Sequence, residues 1–210
     1  YEAVVHDGRI TVDVHYDASL DGAEVQYELC EHASIHPDPA TIRDWSQEWQ
    51  FLVSSYGQSD RTYIFTVNRT DVATGGSLTL RTQAEVDAFA ASRINVVEGN
   101  LTIGVEGGEA IVNRAGLAGV VSVRCDLTVT NAYRGEDLAG LAGLRRCESL
   151  RIGSAGAPNE TLKRIELPAL REVAGDLQLC GTAVRSVVFS ALQRVDGAFA
   201  VGSDALAEIV

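Results

Sequence analysis

The chain holds 210 residues, 46% hydrophobic and 22% charged, enough for one large globular domain or two small ones. Its net charge of −12 lies mostly at the front: residues 1–72 carry 4 arginines and 13 acids, residues 73–210 carry 13 bases and 16 acids. This balance repels phosphate backbones and anionic lipid heads and excludes nucleic acid as a partner, and no stretch reaches the roughly 20 apolar residues of a membrane-spanning helix.

Residue 1 is Tyr rather than Met, as a cleaved signal peptide or a trimmed start would leave it. Residues 1–72 then show the period of a half-buried strand. Ile10, Val12, Val14 and Tyr16 alternate with polar residues, as do Val25, Tyr27 and Leu29, and Tyr63, Phe65 and Val67. Turn signals separate them at Asp7-Gly8, Asp21-Gly22, Pro37-Asp-Pro39 and Tyr56-Gly57. A small antiparallel β-sandwich is the expectation. Trp45 and Trp49 fit one helical face or a loop plug over that sandwich, with core packing favoured over a carbohydrate platform. Cys30, His32 and His36 have the right chemistry for zinc but lack an evident fourth ligand, so they read as an ordinary surface loop with no metal. The stretch Tyr63-Ile-Phe-Thr-Val-Asn-Arg69 resembles the last strand of bacterial cadherin-like or immunoglobulin-like modules. That resemblance implies a spacer. The boundary is expected between Thr70 and Gly76, after which the second domain, residues 73–210, begins.

The second domain carries an internal repeat. A short apolar-polar-apolar unit begins at Leu78, Leu101, Leu127, Leu150, Leu177 and Phe199, at intervals of 23, 26, 23, 27 and 22 residues. A second pattern, apolar-x-x-apolar-x-small, precedes all but the first. It runs Ile94, Val97, Gly99; Val120, Val123, Cys125; Leu144, Cys147, Ser149; Leu170, Val173, Gly175; and Leu192, Val195, Gly197. One rung of this length cannot bury its apolar side alone, so rungs must stack, with strands about 4.8 Å apart and their flanking apolar residues inside. Thr82-Gln-Ala-Glu85 reads as a capping box, and Val86, Phe89 and Ala90 share a helical face. A short helix over about 83–91 is expected to close the N-terminal end of the stack. At the other end, Ala205–Val210 looks like the start of another rung, which leaves a face for further chain or for self-association.

The stretch Gln83–Gly104, with Glu85, Phe89, Val97, Gly99 and Asn100-Leu-Thr-Ile103, resembles the opening of a receptor L-domain, and the Leu-x-x-Val-x-Gly steps at Leu170 and Leu192 fit the same family. The resemblance covers about two thirds of the chain. It implies a leucine-rich β-solenoid that binds rather than catalyses. The cysteine-rich modules of growth-factor receptors are missing, which favours a microbial surface protein, and the richness in Ala, Gly, Val and Arg suggests a bacterium. The fold expected overall is mainly β: a sandwich, then a receptor L-domain-like solenoid with a short capping helix.

In such a stack the middle residue of each strand points outward. Thr79, Thr102, Thr128, Arg151, Gln178 and Ala200 then form one column, and Ser77, Asn100, Asp126, Ser149, Asp176 and Ala198, just before each strand, form a second. Five steps of about 4.8 Å make a polar face of roughly 24 Å. Thr79, Thr102, Thr128, Arg151, Gln178, Asn100, Asp126 and Asp176 are the candidate ligand-binding residues. The alternative is a merely solvated face with threonines chosen for strand propensity. An ice-binding threonine ladder would be interrupted at Arg151.

The four cysteines, Cys30, Cys125, Cys147 and Cys180, include no Cys-x-x-Cys pair. Cys125 and Cys147 occupy neighbouring rungs at different phases, and both a bridge and two buried thiols fit. Asn68-Arg-Thr70, Asn100-Leu-Thr102 and Asn159-Glu-Thr161 match the glycosylation triplet, a short pattern that often arises by chance and that in a bacterial protein usually stays unmodified. No nucleophile elbow, phosphate loop or His-Glu-x-x-His is present, and His6, His15, His32 and His36 all precede the repeat. The expectation is a non-catalytic secreted or cell-surface protein, without cofactor, that binds an extracellular protein or glycan through the sheet face. The alternative is a structural subunit of a cell-envelope or extracellular assembly that self-associates.

Overall fold

A computed structural model describes residues 1–112, 115–181 and 183–210. The chain is mainly β, with one α-helix among the described residues, and divides into two compact units, Tyr1–Asp71 and Val72–Val210. No described helix is long and apolar enough to cross a membrane.

The first unit is built on β1 (Ala3–His6), β2 (Arg9–His15), β3 (Ala33–His36), β4 (Trp49–Ser55) and β5 (Arg61–Thr70), in the sheet order β1-β2-β5-β4-β3. Asp7 and Gly8, with φ of 45° and 74°, make the tight turn between β1 and β2. The pairing is not wholly antiparallel as expected, because β2 and β5 run parallel, Ile10 beside Phe65 and Val12 beside Val67. The long connection that carries β3 and β4 returns the chain in its original direction, as a parallel pair requires. Phe51, Phe65 and Val14 bury one sheet face against Leu20, Ile42 and Trp45 from the connections. Trp45 lies in a turn and is a core plug, with ring centroids 5.0 Å from Phe65 and 6.2 Å from Phe51. Trp49 opens β4 and donates its indole N–H to Asp44 O at 2.9 Å.

The strand expected at Val25–Leu29 does not form. The segment joins no sheet, and Val25, Tyr27 and Leu29 are 38%, 42% and 37% exposed. Alternation suits a strand, yet a strand exists only where an edge pairs with it. Here the Tyr27 hydroxyl instead donates to Asp38 Oδ1 at 2.9 Å.

The second unit comprises, in chain order, β6 (Leu78–Leu80), α1 (Gln83–Ala91), β7 (Val96–Val97), β8 (Leu101–Ile103), β9 (Ser122–Val123), β10 (Leu127–Val129), β11 (Arg146–Cys147), β12 (Leu150–Ile152), β13 (Arg164–Glu166), β14 (Glu172–Val173), β15 (Leu177–Cys180), β16 (Ser186–Val188), β17 (Arg194–Val195), β18 (Phe199–Gly202) and β19 (Glu208–Ile209). The strands sort into three parallel sheets: β6-β8-β10-β12-β15-β18, β7-β9-β11-β14-β17 and β13-β16-β19. The first two are the two repeated patterns of the sequence. Leu78, Leu101, Leu127, Leu150, Leu177 and Phe199 stand side by side in strict register. From Leu101 to Leu179 the two apolar positions of each first-sheet strand are at most 1% exposed, so neighbouring strands share one continuous core.

Helix α1 forms over Gln83–Ala91 as expected. Thr82 Oγ1 accepts from the Glu85 N–H at 3.2 Å, and Glu85 Oε2 reaches back to the Arg81 N–H, one residue beyond the usual capping-box partner. Val86 and Phe89 join the core beside Leu80, whereas Ala90 is exposed.

One feature departs from the repeat as read, and one irregularity of the sequence is carried into the fold. Glu208–Ile209 does not start a new rung; it pairs with β16 as the last strand of the third sheet, Ile209 beside Val187. The rung at Cys147 is also one residue shorter at its corner. Cys147, at the apolar step beside Val173, points into the core as its phase predicts, Cys125 at the small corner lies exposed, and all four cysteines are free thiols. Burial, aided by the carboxylates of Asp126 and Glu148, pushes the Cys147 thiol from an ordinary 9.0 up to about 12. The folded chain thus holds a proton that the unfolded chain releases above about pH 9. Stability from this site is complete below that pH and falls as pH rises towards 12. A thiol reagent at about pH 8 is expected to modify Cys30 and Cys125 and to spare Cys147 until denaturant is added. Labelling of native Cys147 as fast as Cys125 would contradict its burial.

Asn159 ties the loops of the unit together. It is 0% exposed, its Nδ2 donates to Thr130 O at 3.1 Å and Tyr133 O at 2.8 Å, and its Oδ1 accepts from the N–H groups of Thr161 at 3.1 Å and Leu162 at 2.9 Å. Its own N–H donates to Cys180 O at 3.0 Å.

Candidate functional site

The outward face of the first sheet carries the two expected columns. Thr79, Thr102, Thr128, Arg151, Gln178 and Ala200 are direct cross-strand neighbours. Thr79 and Ala200 are exposed and the four between them half-buried, because neighbouring side chains at strand spacing shade one another. The hydroxyls of Thr79, Thr102 and Thr128 make no hydrogen bond among the described residues.

The second column does something sequence reasoning missed. Ser77 Oγ accepts from the Asn100 N–H at 3.0 Å, Asn100 Oδ1 from the Asp126 N–H at 3.0 Å, and Asp176 Oδ1 from the Ala198 N–H at 2.9 Å. Each short polar side chain thus satisfies a corner N–H of the next rung, where the ladder of strand hydrogen bonds is interrupted. Recurrence of Ser, Asn and Asp at one phase was the signal, since these side chains reach about one strand spacing and bond backbone readily. Ser149, in the same column, is buried.

The middle of the face is tied laterally. Arg151 pairs with Asp126 at 2.7 Å, and Gln178 Nε2 donates to Asp176 Oδ2 at 3.2 Å. The face is therefore close to neutral, rich in hydroxyl and amide groups and without aromatic side chains. The second sheet presents the opposite character, a charged face laced by Arg124–Glu98 at 3.1 Å and Arg194–Asp196 at 2.6 Å. Such a charged face needs no explanation beyond solvation.

These two roles separate by mutation. Replacing Asp176→Ala strips the corner N–H of Ala198 and is expected to cost about 1 kcal/mol. Replacing Arg151→Ala removes a pair whose side chains are 42% and 31% exposed, and is expected to cost well under about 1 kcal/mol. Urea melts of the two variants measure the difference, and an Arg151→Ala cost larger than that of Asp176→Ala would contradict it.

Cys30, His32 and His36 are not gathered. Cys30 is exposed at a loop end, His32 sits in a turn at φ 61°, and His36 ends β3. Among the described residues no three His, Cys, Asp or Glu side chains cluster so as to hold a metal ion. No protein-family model, curated protein or solved structure matches the chain.

Proposed function

We propose that this chain is a non-catalytic recognition or adhesion protein of the bacterial cell surface or the extracellular space, binding protein or glycan through the outward face of the first sheet. In this reading Val72–Val210 is a receptor L-domain-like leucine-rich β-solenoid. Tyr1–Asp71 is an immunoglobulin- or cadherin-like sandwich module serving as a spacer. It uses no cofactor and no metal. One observation carries the reading: six parallel strands stand in register, the inner four bury their apolar positions completely, and the opposite face presents Thr79, Thr102, Thr128, Arg151 and Gln178 as an unbroken column. Stacked repeats commonly use such an extended face for partners. Its free hydroxyls and neutral balance suit a hydrogen-bonding ligand better than a charged polymer.

The test is a screen of glycan and extracellular-protein arrays with the wild-type chain beside a variant carrying Thr102→Glu, Thr128→Glu and Arg151→Glu. Binding of a defined class by the wild type, lost in the folded variant, supports the proposal. Binding that survives the triple change overturns it.

A second reading has its own observation. At the C-terminal ends of the first and third sheets Phe199 and Ile209 are each 49% exposed, beside strand edges with no partner among the described residues. A structural subunit that self-associates would cover these two side chains. Sedimentation across a concentration series separates the two readings: mass that grows with concentration, and falls back in Phe199→Glu, supports assembly, and a constant monomer mass counts against it.

A further inference from the structure

The three Asn-x-Thr triplets, at Asn68, Asn100 and Asn159, are alike in sequence, and the fold treats them oppositely. Asn68 is exposed on β5, and its Nδ2 donates one hydrogen bond, to Asp13 Oδ1 at 3.1 Å. Asn100 is exposed at the corner before β8, where its oxygen, not its nitrogen, holds the next rung. Asn159 is fully buried and donates both amide hydrogens, to Thr130 O and Tyr133 O.

We infer that Asn68 and Asn100 are surface positions open to an N-linked oligosaccharide, whereas a glycan on Asn159 and the native fold exclude each other. The transfer joins the anomeric carbon of the sugar to Nδ2 and breaks the sugar–phosphate bond of a lipid-linked pyrophosphate donor. The lipid pyrophosphate leaves, and the amide gives up one hydrogen as a proton. At Asn68 the remaining N–H suffices for Asp13. At Asn100 the accepting oxygen is untouched. At Asn159 one of two buried donors is lost, and the sugar would have to stand where the backbone of Thr130 or Tyr133 stands, in a site with no exposed surface. A chain modified at Asn159 before it folds is therefore held out of the native state, and the folded population carries no glycan there.

The test uses the full chain, made in a bacterial host and secreted from a glycosylating eukaryotic host, as wild type and as Glu160→Pro. Proline in the middle of the triplet blocks transfer and keeps Asn159 and Thr161. Asn159 Oδ1 accepts from the N–H groups two and three residues on, as a helix N-cap does, so position 160 corresponds to the first-turn site that proline favours. Glu160 itself is exposed. In the bacterial host both chains are expected to fold alike. From the glycosylating host, folded secreted protein is expected to carry glycan mass on Asn68 and Asn100 and none on Asn159, and Glu160→Pro is expected to raise the folded yield several-fold. Folded, protease-resistant wild type with a glycan on Asn159 overturns the inference. So does folded Glu160→Pro without glycan on Asn68 and Asn100, or its failure to fold only in the glycosylating host. Should Glu160→Pro fail in the bacterial host as well, glycopeptide mapping of the folded wild type decides alone.

Discussion

Replacing Asn159→Ala is expected to destabilise the second unit by about 4 kcal/mol, a large part of the roughly 5–15 kcal/mol that separates a folded domain from its unfolded chain. The two carbonyls that accept from Nδ2 keep other donors, since the Tyr133 N–H reaches Thr130 O and the Thr161 hydroxyl reaches Tyr133 O, each at 3.2 Å. The N–H groups of Thr161 and Leu162 lose their acceptor, and an orphaned buried N–H is among the costliest defects in a fold. Asn159→Asp sharpens the point. It keeps the acceptor but turns a carboxylate oxygen towards two carbonyl oxygens. Such a buried acid titrates above the usual carboxylate range, so its variant is most stable below about pH 4 and loses stability as pH rises through the raised folded value. Denaturant unfolding followed by far-ultraviolet circular dichroism measures both variants. Both tryptophans lie in the first unit, so their fluorescence does not report on the second. A loss under about 1 kcal/mol for Asn159→Ala would show that water or backbone replaces the amide.

The first sheet was legible because its signal is periodic. A side chain buried on both sides by identical neighbours must be apolar in every rung, and Leu78 through Phe199 repeat that demand six times. The third sheet was missed although Ile165, Val187 and Ile209 recur at a spacing of 22 residues, because only the last rungs contribute to it. Alternation at Val25–Leu29 was over-read: it states that one face is apolar and is silent about whether an edge lies within reach. The same silence hid the direction of β2 against β5. Within the candidate site, the outward column was legible from strand geometry. Asn100 and Asp176, read as ligand residues, also accept from the N–H of the next corner, and only the register of the strands reveals this. Asn159 belongs to no repeat. Its partners Thr130 and Tyr133 are one rung away, and nothing local to it announces burial.

Gly153→Ala is the second change expected to have a large effect, and its size follows from separating two costs. Gly153 follows β12 at φ 62°, in the left-handed region where an L side chain costs roughly 1–2 kcal/mol. Gly107 has φ 70° and open space where its Cβ would lie, so Gly107→Ala pays that conformational cost alone. At Gly153 a Cβ would also press on Cys180 O and lie 2.8 Å from Asn159 N, both of them backbone atoms that cannot turn aside. Those two atoms are the ends of the hydrogen bond by which Asn159 is anchored to β15. Relieving the overlap means separating the rung of β12 from that of β15, and the bonds of Asn159 loosen with it. The expected loss is about 3 kcal/mol or more for Gly153→Ala and about 1 kcal/mol for Gly107→Ala. Adding Gly153→Ala to Asn159→Ala should cost less than the two separately, because each disturbs the same backbone contact. Equal losses for the two glycine variants would mean that the rungs slide apart freely, and additive losses in the double variant would mean that Gly153 and Asn159 do not share one support.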